Sequence, residues 1–244
     1  MSPTTQLKVK LFADGADLAG IREMAANALI KGFTTNPTLM RKAGIADYKA
    51  FALQALQVVG GRPISFEVFA DDFREMEQQA FEIASWGKNI YVKIPVTNTK
   101  GEFSGALLER LSQAGVQLNV TAVMTTGQVK RVAERLAADT PAIISVFAGR
   151  IADTGRDPLP IMAEAVTIMK AKPKAELIWA SPRELLNIFQ ADAVRCHIIT
   201  ATNDILKKLS LVGKDLEAYS LETVEMFYQD ARAAGYSIAT RAAA

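Results

Sequence analysis

The feature that most constrains this chain is an alternation. Short runs rich in β-branched and aromatic residues are each followed by a longer segment with helical spacing of apolar residues, and eight such runs fit in 244 residues. The runs read as strands at Val9–Ala13, Ile30–Thr35, Pro63–Phe69, Asn89–Pro95, Gln117–Val123, Ala142–Phe147, Glu176–Ala180 and Cys196–Thr200. Helical spacing falls at Ala16–Leu29, Tyr48–Val58, Phe73–Trp86, Gly105–Ala114, Gly127–Ala138, Leu159–Met169, Arg183–Gln190 and Asn203–Leu211. A last helix at Leu221–Ala234 carries Leu221, Val224, Phe227, Tyr228 and Ala231 on one apolar face. Strands that alternate with helices pair in parallel through right-handed crossovers. The expectation is an α/β fold: one (β/α)8 TIM barrel domain over residues 1–244, with an additional C-terminal helix. A doubly wound open sheet is the competing arrangement. It needs a glycine-rich phosphate turn after the first strand, and Phe12-Ala13-Asp14-Gly15-Ala16 is not one.

Composition narrows the function classes. Half the residues are hydrophobic, enough for a large core without disulfides, and the net charge of +2 gives no reason to expect nucleic acid or a membrane surface as partner. The single cysteine, Cys196, precludes an intrachain disulfide and reads as a small buried hydrophobe. Met1–Gln6 lacks the charged and apolar regions of a leader, and no run is apolar enough to span a bilayer, so a cytoplasmic location is expected.

Some helix starts are marked. Thr125-Thr126-Gly127-Gln128 and Ser181-Pro182-Arg183-Glu184 both read as capping boxes, and Asn36-Pro37 and Asp157-Pro158 as a cap followed by proline.

Side chains of a parallel barrel alternate between the helix layer and the interior, and the site of such a barrel collects at the carboxyl ends of its strands. Sorted by parity, the apolar sets Val9/Leu11/Ala13, Ile64/Phe66/Val68, Ile90/Val92/Ile94, Leu118/Val120/Ala122, Ile144/Val146 and Ile178/Ala180 face the helices. The complementary sets are Phe12/Asp14, Ser65/Glu67, Tyr91/Lys93, Asn119/Thr121, Ser145/Phe147 and Trp179/Ser181, and Thr34 and Asn36 share a parity on the second strand. Burying Lys93, Glu67 and Asp14 costs on the order of several kcal/mol per ion unless they are paired or used. Ser181 and Asn36 have a second reading as helix caps alone, and Phe147 as ordinary core.

A lysine within a strand, between Val92 and Ile94, is unusual. Desolvation disfavours an ammonium, which makes a nucleophilic amine available near neutral pH. Such an amine forms an iminium with a carbonyl, an electron sink for C–C cleavage. A buried Lys–Glu or Lys–Asp ion pair is the competing and compatible reading. With His197 the only histidine, a His-based triad or a multi-His metal site is not expected. Asp71-Asp72 reads as a solvated loop and helix start.

Four segments carry a family resemblance, in order along nearly the whole chain. Gly32-Phe33-Thr34-Thr35-Asn36-Pro37 resembles the GVTTNP signature of transaldolases and fructose-6-phosphate aldolases. Val92-Lys93-Ile94-Pro95 resembles their Schiff-base lysine segment, Ser145-Val146-Phe147-Ala148-Gly149-Arg150-Ile151 their S-x-F-x-G-R-I strand, and Ala180-Ser181-Pro182-Arg183 their A-S-x-R phosphate element. The resemblance implies a Schiff base at Lys93 with a ketose such as fructose 6-phosphate or sedoheptulose 7-phosphate, Asp14 as acid/base at the bond that breaks, and a proton-shuttling water held by Glu67 and Thr121. It implies that Asn36, Asn119 and Ser145, with Thr34 close by, bind the dihydroxyacetone hydroxyls, and that Arg150, Arg183 and Ser181 hold the phosphate. It also implies small sugar phosphates as partners, no cofactor or metal, a place in pentose phosphate metabolism, and a homo-oligomer.

Glu67 and Phe147 resemble the transaldolase branch, since the aldolases typically carry Gln and Tyr there. Dihydroxyacetone transfer is therefore the first expectation. Free dihydroxyacetone release, transfer with a modified sugar, and a phosphosugar-binding barrel without catalysis are the alternatives. Two departures stand out: Ala13-Asp14-Gly15 lacks the Thr or Ser that usually follows the aspartate, and the loop after Pro95 is longer and is expected to border the site.

Overall fold

The computed structural model describes residues 7–240. Met1–Gln6, read above as lacking a leader, lies outside them. The elements run β1 Lys10–Asp14, α1 Leu18–Ala26, β2 Ile30–Thr34, α2 Pro37–Lys42, α3 Tyr48–Val59, β3 Ile64–Glu67, α4 Phe73–Ser85, β4 Ile90–Pro95, α5 Gly105–Gln113, β5 Leu118–Val123, α6 Thr126–Arg135, β6 Ala142–Val146, α7 Ala148–Ala152, α8 Leu159–Met169, β7 Ala175–Trp179, α9 Leu186–Ala193, β8 Ile198–Thr202, α10 Asn203–Lys207 and α11 Leu216–Ala233. A 3-10 turn, Lys208–Leu211, follows α10. The strands are all parallel and close into one barrel in sequence order. This is the expected (β/α)8 barrel with a further C-terminal helix. The short α2 and α7 have too few turns to show a helical period; only the start of α2, at Asn36-Pro37, was marked in the sequence.

Two apolar layers hold the barrel. The larger lies between strands and helices and includes Leu11, Phe66, Val92, Ile94, Leu118, Val120 and Ile144, as parity requires. Full burial of each such side chain is worth roughly 1.5–3 kcal/mol. The smaller fills the barrel interior with Phe12, Ile143, Ile178, Ala180 and Ile198, joined by Tyr91 and Phe147. Gly32 belongs to this plug by subtraction: a Cβ there would stand 2.4 Å from the Phe12 ring. An apolar plug below leaves the carboxyl ends of the strands as the place for polar groups.

Three parity and capping expectations are overturned. On β7 the inner and outer sets are exchanged: Trp179 packs in the helix-facing layer while Ile178 and Ala180 fill the interior. Ile178 and Trp179 are both apolar, so hydrophobic pattern along the strand could not tell the two faces apart. On β5 the register shifts between Val120 and Val123, and both valines face the helices. Ala122 sits in the shift at φ 62° and turns toward the barrel mouth, not the helix layer. Ser181 does not cap a helix. Its φ is 55°, and α9 begins only at Leu186, with no side-chain cap. Asn36 does cap α2, accepting from Leu39 N–H with Pro37 in the first turn, and Thr125 and Gln128 form the expected capping box of α6.

Asp72 caps α4, and Asp71 accepts from the N–H and hydroxyl of Thr99, both at 2.7 Å. The loop after Pro95 is thereby folded onto Asp71, with Arg131 stacked 4.0 Å over Phe103. None of its residues from 96 to 104 lines the barrel-mouth cavity, so it does not border the site as expected. Cys196 is buried, and burial pushes its thiol up to about 12. His197 precedes β8 and accepts Leu177 N–H at Nδ1, 3.0 Å away, at the barrel end opposite the cavity. Among the described residues no helix is long and apolar enough to cross a membrane.

Candidate active site

The carboxyl ends of the strands surround one cavity of about 500 Å³. All twelve residues singled out from the sequence line it: Asp14, Thr34, Asn36, Glu67, Lys93, Asn119, Thr121, Ser145, Phe147, Arg150, Ser181 and Arg183.

Lys93 is at the centre and only 6% exposed. The β-ladders set Glu67 on one side of it and Asn119 on the other as Cα partners. Its Nζ lies 3.0 Å from Glu67 Oε2 and donates to the Thr35 carbonyl at 2.9 Å. Nζ is thus held by one carboxylate and one peptide oxygen.

Asp14 is fixed by donors from the end of β2 and the cap of α2. Thr34 Oγ1 donates to its Oδ1 at 2.7 Å, and Asn36 Nδ2 to its Oδ2 at 3.3 Å. A hydroxyl has one proton, so with Asp14 ionised the 2.6 Å contact between Thr34 and Thr200 has Thr200 as donor. The resulting chain runs Thr200 to Thr34 to Asp14. Burial raises the Asp14 carboxyl above the usual carboxylate range; the Lys93 charge and the Thr34 and Asn36 donors pull it down in part, and Glu67 pushes it further up.

A second chain crosses the interior. Ser145 Oγ donates to Asn119 Oδ1 at 2.7 Å, and Asn119 Nδ2 donates to Ser65 Oγ at 3.0 Å. Thr121 Oγ1 is buried with no hydrogen-bond partner among the described residues, so its bonding capacity is available to substrate or water.

The far wall is cationic. Arg150, on α7, lies over the Phe147 ring at 5.4 Å. Arg183 grips Asp153 with both its Nε and Nη2, and this pairing holds the Asp153 carboxyl below its ordinary range. Gly149 lets α7 touch the Ser181 turn, since a Cβ there would fall 1.5 Å from the Ser181 carbonyl oxygen. Of the three non-glycine residues at positive φ among the described residues, Ala122, Ser181 and Arg195, the first two line the cavity, where backbone strain commonly marks function.

A family model described as Transaldolase/Fructose-6-phosphate aldolase matches residues 11–242. The chain belongs to this family. A "Probable transaldolase" of Thermoanaerobacter sp. (strain X514) is 36% identical over 231 residues, covering 94% of this chain and all of the relative. Another of Dehalococcoides mccartyi (strain ATCC BAA-2266 / KCTC 15142 / 195) is 33% identical over 202 residues, covering 82% and 90%. A Burkholderia cenocepacia J2315 protein whose solved structure carries a provisional phosphonomutase description superposes with a TM-score of 0.55 at 10% identity, over 91% of this chain and 94% of that one. That likeness speaks for the barrel fold alone. The chain is therefore a barrel enzyme of the transaldolase and aldolase type.

Sequence reasoning missed Thr200, Thr202 and Ala122. The threonines alternate with Ile199 and Ala201, so parity carried through the eighth strand finds them. The bulge that turns Ala122 inward leaves no mark in the pattern. Among the described residues no group of three or more His, Cys, Asp or Glu could hold a metal ion.

Proposed function

We propose that the protein is a transaldolase that transfers a dihydroxyacetone unit from a ketose phosphate to an aldose phosphate through a Schiff base at Lys93. The observation that carries this is the placement of one buried lysine against Glu67, in the same cavity as a hydrogen-bonded Asp14 and facing an arginine wall.

In this reading Glu67, working through a water that Thr121 also binds, takes a proton from the Lys93 ammonium, and the freed amine attacks C2 of the ketose. The N–C bond forms as the carbonyl π pair moves to oxygen, which takes up that proton and becomes a hydroxyl. Glu67 then takes a second proton from the nitrogen and passes it to the hydroxyl, which leaves as water while the nitrogen lone pair forms the iminium. Asp14 takes the C4 hydroxyl proton. The C3–C4 bond breaks, its electron pair passes into the iminium to give an enamine, and the aldose phosphate departs. An acceptor aldehyde then takes up the enamine by the reverse steps, and hydrolysis frees Lys93. Asn36, Asn119, Ser145 and Thr34 bind the hydroxyls of the three-carbon fragment. Arg150, Arg183 and Ser181 take the phosphate, a match of cationic forks to a dianion.

Phe147 favours transfer over simple release. Its ring cannot hydrogen-bond a water that would protonate the enamine, so the fragment waits for an acceptor. The aldolase reading predicts the opposite dependence. The same proposal includes a cytoplasmic setting, in keeping with the unpaired Cys196, and a homo-oligomer, in keeping with the apolar residues that α11 exposes.

The test is triose phosphate release from fructose 6-phosphate with and without erythrose 4-phosphate. Acceptor-dependent release is expected. Equal release without acceptor would replace the transaldolase reading by the aldolase one.

A further inference from the structure

Tyr48 opens α3 and is not among the residues that line the cavity. Its hydroxyl nevertheless makes two hydrogen bonds to a single site residue. It accepts from Glu67 N–H at 2.7 Å and donates to the Glu67 carbonyl at 2.9 Å.

The barrel wall explains this arrangement. A strand residue turns its N–H and C=O toward the same neighbour. β2 serves β3 only through Phe33 opposite Ile64 and Thr34 opposite Ser65, with a last bond from Thr35 N–H to the Ser65 carbonyl. Beyond that point the chain turns into α2 at Asn36, which leaves the peptide groups of Glu67 without a strand beside them. The Tyr48 hydroxyl occupies that neighbour position. On the opposite edge Glu67 is the ladder partner of Lys93. Glu67 is therefore anchored on both edges, by the lysine strand on one side and by one phenol on the other.

The phenol itself is seated firmly. Its ring packs against Phe69 at 4.6 Å, Trp86 at 5.7 Å and Phe66 at 6.0 Å between centroids. Burial makes it a much weaker acid than a free phenol, so it keeps the proton it donates.

We propose that Tyr48 is a positioning residue that sets the approach of the Glu67 carboxylate to Lys93 Nζ, and through it the rate at which the iminium forms and hydrolyses. This rests on the Schiff-base reading above. Proton transfer depends on tenths of an ångström, and a misplacement of about 1 Å costs on the order of a hundredfold. Loss of one of two anchors is a smaller displacement than that.

The experiment compares wild type and Tyr48→Phe for steady-state turnover of fructose 6-phosphate with acceptor, and for the rate of borohydride-trapped adduct at Lys93. Tyr48→Phe keeps the ring packing and removes one oxygen. The expected result is a fall in kcat and in adduct formation of about ten-fold, with the donor KM within about two-fold of wild type. In a Glu67→Gln background the same substitution is expected to change the adduct rate by less than about two-fold, because both act on one step. Unchanged rates in Tyr48→Phe, or losses that multiply in the double variant, overturn the proposal. If Tyr48→Phe does not accumulate folded, Trp86→Phe loosens the ring seat and keeps the hydroxyl. It should show the same split at roughly three-fold, and an unchanged kcat there also overturns the proposal. Absence of any adduct in wild type overturns the Schiff-base reading itself, whereas a wild-type adduct formed no faster than in Tyr48→Phe removes only the role of Tyr48.

Discussion

Glu67 and Lys93 are partners twice over. Their Cα atoms face each other across the β3–β4 ladder, and their side chains meet on the inner face with Glu67 Oε2 3.0 Å from Lys93 Nζ. The backbone register alone thus sets a carboxylate beside the amine. The ion pair is compatible with the proposed nucleophile, since a charge buried for use would be stabilised by a partner until substrate arrives.

Lys93→Ala is expected to fold and to lose turnover by about three orders of magnitude or more, in line with removal of a covalent nucleophile. Mass spectrometry after borohydride with fructose 6-phosphate reads the adduct directly. Residual adduct in that variant would move the Schiff base to another amine.

Asp14→Asn is expected to abolish turnover while making the protein more stable at neutral pH. The Asp14 pKa is raised by burial, so the folded state holds that proton more tightly than the unfolded chain does. At pH below about 4, near the unfolded value, both states are protonated and the substitution brings no electrostatic gain. As pH rises through the raised folded pKa, the wild type progressively bears the cost of a buried charge and the variant does not. Thermal melts of both proteins across pH 4–8 check this; a difference in Tm that shrinks as pH rises would contradict it.

Phe147→Tyr places a hydroxyl in the cavity wall where only a ring edge stands now. Acceptor-independent release from fructose 6-phosphate is expected to rise several-fold, on the scale of one added general acid or water-binding group. If release is unchanged, Phe147 does not protect the enamine.

Gly149→Ala would drive a methyl into the Ser181 carbonyl, 1.5 Å from where the Cβ must stand. Overpacking of this kind costs roughly 1–3 kcal/mol. Because the strain falls between the Arg150 helix and the Ser181 turn, the donor KM is expected to rise about ten-fold or more, with a smaller effect on kcat. Steady-state kinetics on fructose 6-phosphate show which parameter moves.

The C-terminal helix has no buried residue, and Leu221, Val224 and Phe227 on it are each about 60% exposed. A contiguous apolar face of this kind is unusual on an isolated chain. Replacing Val224 and Phe227 by Glu is expected to shift the protein to a smaller species in light scattering, with the barrel still folded by circular dichroism. A wild type that already runs as a monomer would remove the homo-oligomer reading.

Much of this site was legible before any coordinates. The alternation of strand and helix called for a parallel α/β fold, and eight units without a glycine-rich turn after the first strand favoured a barrel over a doubly wound sheet. Period two along β3, β4, β5 and β6 separated Glu67, Lys93, Asn119 and Ser145 from the Ile, Val and Leu that must face the helices. That inference works wherever one face is apolar and the other polar, because burial then selects the face. It fails on β7, where Ile178 and Trp179 are both apolar and both fully buried, so burial does not distinguish them.

What only the tertiary structure decided is of a different kind. The Thr35 carbonyl that holds Lys93, the bulge that swings Ala122 into the cavity, the Asp153 that grips Arg183, and the Tyr48 hydroxyl that stands in for a missing strand at Glu67 are contacts between segments far apart in the chain or made by backbone atoms. Backbone oxygens carry no residue identity, and a hydroxyl 19 positions away carries no periodicity. Residue types and their spacing determine which face is buried; the closure of the barrel determines which polar groups then lie within hydrogen-bond reach.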